Sequence, residues 1–268
     1  MYKLLALDLD GTTLTSKHII DSETKKHIKF LINKGIKVTI ISGREPKSIV
    51  SLSDQIGLNG LVGSMNGAII TTSDGVDHIM NLTLPEEHVK YSIDLSKRMN
   101  FNSILFIEND SFIASKKNEF GKIIDKFTDY PATEVGDLDK FLKENNLYNK
   151  VNKVAITDEY ENLLKFKSVY EKNNNSSKLF FSLPFFLEIN RNDISKGRAL
   201  EYIADSYNIN REEIVAIGDG ENDIEMIQYA GKGVAMKNAM TGLKDVADEI
   251  TDSNDNHGVV KIIKKYFL

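Results

Sequence analysis

Two carboxylates one residue apart, Asp8 and Asp10, come directly after the apolar run Leu4-Leu5-Ala6-Leu7 and are followed by Gly11-Thr12. In an extended segment this spacing points both side chains to the same side. Such a pair repels itself unless something compensates, and a divalent cation is the usual solution. A solvated loop whose aspartate caps a turn would produce the same string. A second acidic cluster, Asp219-Gly220-Glu221-Asn222-Asp223, follows another apolar run that ends at Ile217-Gly218. Its carboxylate and amide oxygens suit a hard cation. An EF-hand loop does not account for it, because Ile224 stands where the turn glycine belongs and no helix precedes the loop. The competing reading is a helix cap, with Asp219 or Glu221 serving the helix that starts nearby.

Two further groups could hold an anion. Ser42 closes the apolar run at residues 36–41 and is followed by Gly43-Arg44. A hydroxyl beside a glycine N–H makes a phosphate cradle, although an ordinary strand-to-helix turn reads the same way. Lys196 falls in the first turn of a helix capped by Asp193 or Ser195. A cation there opposes the helix dipole by about 0.3–1 kcal/mol at an exposed site. An anion bound at the helix start would reverse that sign. A solvated lysine, with Arg198 close by, is the plain alternative.

The elements that must position these groups are legible from periodicity. The first apolar run reads as a strand buried on both faces of a parallel sheet. A helix at residues 21–33 follows, stopped by Gly35, then a second buried strand at 36–41 and a helix opened by Pro46. Near the C-terminus the alternation returns, with helix 195–207, strand 214–217, helix 222–229 and strand 233–236. This predicts an α/β fold, a Rossmann-like parallel sheet whose ligand crevice lies at the carboxyl ends of its strands. The middle differs. Residues 84–187 carry short strand-like runs (103–107, 112–115, 151–157, 178–182), helix-like runs (86–98, 160–171) and three of the chain's four prolines. They read as an inserted α+β domain, giving a core of residues 1–83 and 189–268 around an insert of 84–188. The linkers are expected at 83–85 and 188–193, and a turn-rich asparagine loop at 173–177.

Composition narrows the partners. Among 268 residues there are 34 Lys+Arg against 39 Asp+Glu, a formal charge of −5, and basic runs stop at pairs, so nucleic acid is not an expected partner. The absence of cysteine excludes disulfides, thiolate zinc sites and cysteine nucleophiles. No apolar stretch approaches the roughly 20 residues that span a bilayer, and the segment behind Met1-Tyr2-Lys3 has no signal-peptide core. A cytoplasmic protein acting on a small molecule is the expectation. His18, His27, His78, His88 and His257 show no ligand spacing and read as surface or structural.

Taken in order, the strings LALDLDGTTL, VTIISGRE, SMNGAII, SKGRALEYIA, VAIGDGENDIEMI and GVAMKNA resemble the haloacid dehalogenase superfamily of phosphohydrolases, in particular its Cof-like branch. That branch carries a large α/β cap inserted between its second and third motifs. The resemblance covers residues 1–82 and 189–268, while the insert fits the cap by position and size only. It implies a phosphomonoesterase acting on small phosphate esters, sugar phosphates foremost, with Mg2+ as cofactor. Asp8 would be the nucleophile and Asp10 the general acid and base. Ser42, Gly43 and Lys196 would bind the phosphoryl oxygens, and Asp8, Asp219 and the Asp10 backbone carbonyl would hold the metal. Asp223 would complete the metal shell or orient Lys196, with Asn222 supporting that loop. Asn66, Arg44 and Lys153 are candidate substrate contacts. The segment before Lys196, Asn190-Arg191-Asn192-Asp193-Ile194-Ser195, departs from the family in lacking Pro and Gly. A phosphomutase of the same fold and a non-catalytic phosphoacceptor module are the competing expectations.

Overall fold

The computed structural model describes residues 1–117, 119–123, 130–173 and 176–268. The chain divides into two compact units, Met1–Met80 with Ile194–Leu268, and Asn81–Asp193. Asn174 and Asn175 of the asparagine loop lie outside the described residues.

In chain order the first unit opens with β1 (Leu4–Leu7), buried throughout, and α1 (Ser22–Asn33). The Asp21 carboxylate caps α1 by accepting from the N–H groups of Glu23 and Thr24. Then come β2 (Lys37–Ile40) and α2 (Pro46–Ile56), with proline in its first turn as expected, and three strands, β3 (Leu61–Ser64), β4 (Ile69–Thr72) and β5 (His78–Asn81). The second unit contains α3 (Glu86–Met99), β6 (Asn102–Ile107), β7 (Asp110–Ile113), α4 (Glu119–Ile123), β8 (Thr133–Glu134) and α5 (Leu138–Glu144). It continues through β9 (Lys153–Thr157), α6 (Tyr160–Asn173), β10 (Ser177–Leu183) and β11 (Phe186–Arg191). The chain then returns to the first unit with α7 (Lys196–Ser206), β12 (Ile214–Gly218), α8 (Ile224–Tyr229), β13 (Lys232–Ala235), α9 (Thr241–Lys244), β14 (Glu249–Ile250) and α10 (Gly258–Phe267).

The main sheet of the first unit is parallel, in the order β14-β13-β12-β1-β2. Leu4, Leu5, Ala6 and Leu7 are fully buried, as the unbroken apolar run requires. Each such leucine contributes about 1.5–3 kcal/mol by leaving water. The register is what matters for the site. Leu7 pairs with Ile217, and the N–H of Asp8 donates to the Ile217 carbonyl at 3.0 Å, so the residues that follow β1 and β12 emerge side by side. Beside this sheet β3 and β4 form an antiparallel hairpin with β5 at its edge, a small sheet the apolar pattern did not announce.

The second unit is a six-stranded sheet in the order β10-β11-β9-β6-β7-β8, antiparallel except for the β7–β8 pair. One face, carrying Leu105, Val154, Ile156, Leu187 and Ile189, packs with Val89, Ile93, Leu163 and Phe166 of α3 and α6. The expected linker at residues 188–193 is corrected here, because Glu188 to Arg191 belong to β11. Polar Glu188 and Asn190 alternate with Leu187 and Ile189, and both polar side chains are buried, which made a two-faced buried strand read as a connector. Asn81 and Thr83 also belong to this unit, bonded to Asn152 and Arg191. No helix among the described residues is long and apolar enough to cross a membrane.

Candidate active site

The first unit gathers its buried charges at the carboxyl ends of β1 and β12. After Asp8 the chain leaves extended geometry. Leu14 N–H donates to the Leu9 carbonyl, Gly11 adopts φ +76°, and the Thr13 hydroxyl bonds the Asp8 carbonyl. A methyl group at Gly11 would sit 2.2 Å from Asp219 Oδ2, so both the left-handed conformation and the closeness of Asp219 require glycine there. The turn separates the two carboxylates that an extended segment would have kept together. Asp8 is buried, whereas Asp10 is half exposed and is held in a fork by Arg44, whose Nε and Nη2 each lie 2.7 Å from one of its oxygens. Exposed His18 stands 3.8 Å from the same carboxylate.

Lys196 joins the remaining groups. Ser195 caps α7 by accepting from the Arg198 N–H, which fixes Lys196 as the first helical residue. Its side chain is fully buried, with Nζ 2.6 Å from Asp8 Oδ1 and 2.6 Å from Asp223 Oδ1. The other oxygen of Asp223 accepts the backbone N–H groups of Asp219 and Gly220, both at 2.9 Å. Asp223 is thereby committed to holding the loop and the lysine. Asp219 instead accepts from the Thr12 hydroxyl at 2.8 Å. One oxygen from each of Asp8, Asp219 and Asp223 lies within 4.8 Å of the others, and the carboxylate of Asp10 is outside this group.

The electrostatics follow from two buried acids and one partly buried acid facing one buried base. Burial disfavours the Lys196 ammonium, but the charges of Asp223 and Asp8 outweigh it and hold its pKa above the usual value. Burial raises the pKa of Asp8 well above its usual value, and the charges of Asp223 and Asp219 add to this against the charge and hydrogen bond of Lys196. Burial pushes Asp219 up to about 6, against the hydrogen bond from Thr12 and with the charge of Asp223. The cluster therefore holds more negative charge than its lysine neutralises. Hard, clustered oxygen donors with excess negative charge fit a divalent cation of the Mg2+ type.

Ser42 is buried, at the end of β2, and its Oγ accepts from the Arg44 N–H at 3.3 Å across Gly43. Asn222 donates from Nδ2 to Asn66 Oδ1 at 2.8 Å, and Asn66 itself is buried. Lys153 lies in the second unit on β9, buried, with Nζ 3.2 Å from Glu188 and 4.5 Å from the centre of the Phe106 ring. Sequence reasoning missed two polar participants. Thr12 and Asn238, which donates to the Gly11 carbonyl at 2.8 Å, both sit inside strings already singled out. In the second unit Asn190, on β11, was named only as part of the segment that departs from the family pattern. Its side chain is buried and neither of its polar atoms has a hydrogen-bond partner.

Residues 5–263 match a family model described as haloacid dehalogenase-like hydrolase. The chain is 31% identical over 268 residues to the 5-amino-6-(5-phospho-D-ribitylamino)uracil phosphatase YcsE of Bacillus subtilis, covering 99% of this chain and 96% of that one. It is 29% identical to the phosphatase YwpJ of the same organism, covering 98% and 99%. Among solved structures it is similar to a haloacid dehalogenase-like hydrolase from Bacteroides thetaiotaomicron, with a TM-score of 0.89, 30% identity and full coverage of both chains.

Proposed function

The chain belongs to the haloacid dehalogenase-like hydrolase family and is a phosphatase of that superfamily, and from this premise we propose that it is a Mg2+-dependent phosphomonoesterase working through an aspartyl-phosphate on Asp8. One observation carries the reading: a buried aspartate at a strand end, gripped by Lys196 and surrounded by Asp219 and Asp223.

In the proposed reaction the Asp8 carboxylate attacks phosphorus, an O–P bond forms, and the ester P–O bond breaks. Asp10 gives a proton to the leaving alkoxide, then takes one from the water that cleaves the acyl phosphate and restores Asp8. Arg44 sets where Asp10 stands between these transfers. Lys196 holds the nucleophile and neutralises charge that collects on the equatorial oxygens. The Ser42 hydroxyl and the Gly43 N–H complete the phosphoryl cradle. Asp8, Asp219 and the Asp10 backbone carbonyl would hold Mg2+, which when bound supplies positive charge facing the phosphoryl group.

The substrates we propose are small phosphorylated metabolites with hydroxyl-rich chains, sugar phosphates first. The relative named for a phospho-ribitylamino compound supports this class. The inserted unit would select among them, with Lys153 a candidate contact. The test is release of inorganic phosphate from p-nitrophenyl phosphate with Mg2+, its loss with EDTA, and then a panel of sugar and polyol phosphates. A wild-type protein that releases no phosphate from any of them ends this reading.

A further inference from the structure

Residues 65–67 connect β3 to β4, and three successive residues there take left-handed backbone: Met65 at φ 50°, Asn66 at φ 59° and Gly67 at φ +94°. Methionine rarely adopts this conformation, and such strain persists only where the surroundings over-determine it. The surroundings are the loops of the active site. The Met65 N–H donates to the Arg44 carbonyl and the Asn66 N–H to the Ser42 carbonyl, both at 2.9 Å. A methyl on Gly43 would stand 3.2 Å from Asn66 Oδ1, so the carboxamide rests against the cradle glycine. The same oxygen accepts from Asn222 Nδ2 at 2.8 Å. On the other side Gly67 lies so close to Ser195 and Ala199 at the start of α7 that a methyl there would be 2.7 Å from each.

We infer that Asn66 is a positioning residue that ties the phosphate-binding loop of Ser42 and Gly43 to the Asn222–Asp223 loop. Its backbone N–H fixes the first loop and its carboxamide oxygen fixes the second, so the oxygen-binding groups and the acidic loop keep one spacing. The hairpin against α7 makes the tie rigid. The inference rests on the phosphatase reading for the identity of the ligand but not for the tie itself. Asn66 is buried, and in this inference it acts through its neighbours.

The test uses Asn66→Gly, which keeps the left-handed backbone and removes the carboxamide, together with Asn222→Ala and the double variant. The ligand probe is inorganic phosphate, read as competitive inhibition of p-nitrophenyl phosphate turnover. The second readout is the Mg2+-induced rise in melting temperature, which needs no turnover. Each single variant is expected to raise the phosphate Ki and the KM about tenfold, with a smaller change in kcat and a smaller Mg2+ shift. The double variant should be no worse than the weaker single, because both remove one interaction. Multiplying effects in the double variant, or an unchanged Ki in both singles, overturns the tie while the phosphatase reading stands. A wild-type protein that turns over p-nitrophenyl phosphate without inhibition by phosphate overturns the tie as a determinant of phosphate binding and leaves the phosphatase reading standing, whereas one that turns over nothing ends the phosphatase reading and leaves the tie to the Mg2+ shift. If Asn66→Gly fails to fold, Asn222→Ala decides alone: an unchanged Ki refutes the tie.

Discussion

Lys196 in the first unit and Lys153 in the second are both buried lysines beside acids, yet their settings differ. Lys196 begins a helix at the end of a parallel sheet, bridges Asp8 and Asp223, and has Asp219 nearby. Lys153 sits within a strand of an antiparallel sheet, facing Glu188 over the Phe106 ring. The first arrangement has surplus negative charge and raised carboxylate pKa values, so it is built around something cationic that arrives. The second pairs its charges, and the unsatisfied side chains among the described residues of the same unit are neutral, the Thr157 hydroxyl and the Asn190 carboxamide. Surplus negative charge suits a metal cation, and an unpaired amide suits recognition of neutral hydroxyls.

The largest expected effect is on the surplus-charge side. Asp8→Asn should lower kcat by about 10³-fold or more while circular dichroism and inorganic-phosphate binding stay near wild type, because an amide is isosteric and a poor nucleophile. More than a few per cent residual kcat would remove Asp8 from its proposed role. Lys196→Met should also abolish turnover, and by stripping the counter-charge from buried acids it should cost about 3–5 kcal/mol of stability. A melting temperature within a degree of wild type would show that Lys196 does not carry that balance.

The next effect concerns pH. In metal-free protein Asp219 keeps its proton up to about pH 6, whereas the unfolded chain releases it near 4. The folded state binds the proton more tightly, so stability is greatest below the unfolded value and falls as pH rises from about 4 to about 6. The cost is of order 3 kcal/mol at 1.36 kcal/mol per unit. A divalent cation competes with that proton. The Mg2+-induced rise in melting temperature should therefore be small at pH 5 and grow toward pH 7.5. Asp219→Ala should flatten the metal-free slope and remove the Mg2+ shift. A shift that is the same at pH 5 and pH 7.5 would separate Asp219 from the metal.

The same contrast explains what could be read from the chain. Asp8, Ser42 and Asp219 were legible because parallel strands end abruptly, a short and mostly apolar run and then a polar group, and Lys196 because a cation in the first turn of a helix opposes its dipole. The register of Leu7 with Ile217 then brings distant strings together. What was not legible depends on backbone that leaves the regular periods. The turn at Leu9 to Thr13 sends Asp10 to Arg44 rather than to the acidic cluster. The left-handed Met65 and Asn66 make a short hairpin between two strands of four residues. In the second unit β11 was hidden because Glu188 and Asn190 alternate with apolar residues although both faces are buried, so its polarity pointed to a linker.

The pairing of Lys153 with Glu188 gives a middle-sized test. Lys153→Met alone leaves a buried carboxylate and should cost about 3–5 kcal/mol, while Lys153→Met with Glu188→Leu should return most of that stability. If the second unit selects substrates, the double variant should fold yet lose discrimination among polyol phosphates, with p-nitrophenyl phosphate turnover changed much less. A double variant as unstable as the single would mean that the pair is not the interaction that matters there.

The smallest effect is the one in which stability and selection should part. Asn190 buries a carboxamide with neither polar atom bonded, and a group left in that state typically costs about 1–3 kcal/mol. Leucine has nearly the same volume and no polar atoms. Asn190→Leu should therefore stabilise the protein, by about 2–4 °C in melting temperature for each kcal/mol recovered at this chain length. If the amide is kept for recognition, the same variant should lower kcat/KM for hydroxyl-rich phosphates by about 2- to 10-fold, the net worth of one neutral hydrogen bond, and leave p-nitrophenyl phosphate unchanged. The two readouts are independent. A more stable protein with an unaltered substrate ranking would show that the unpaired amide is a packing compromise, and a less stable one would show that Asn190 has a polar partner in solution. Only a gain in stability together with a loss of discrimination fits an amide held in reserve for a ligand.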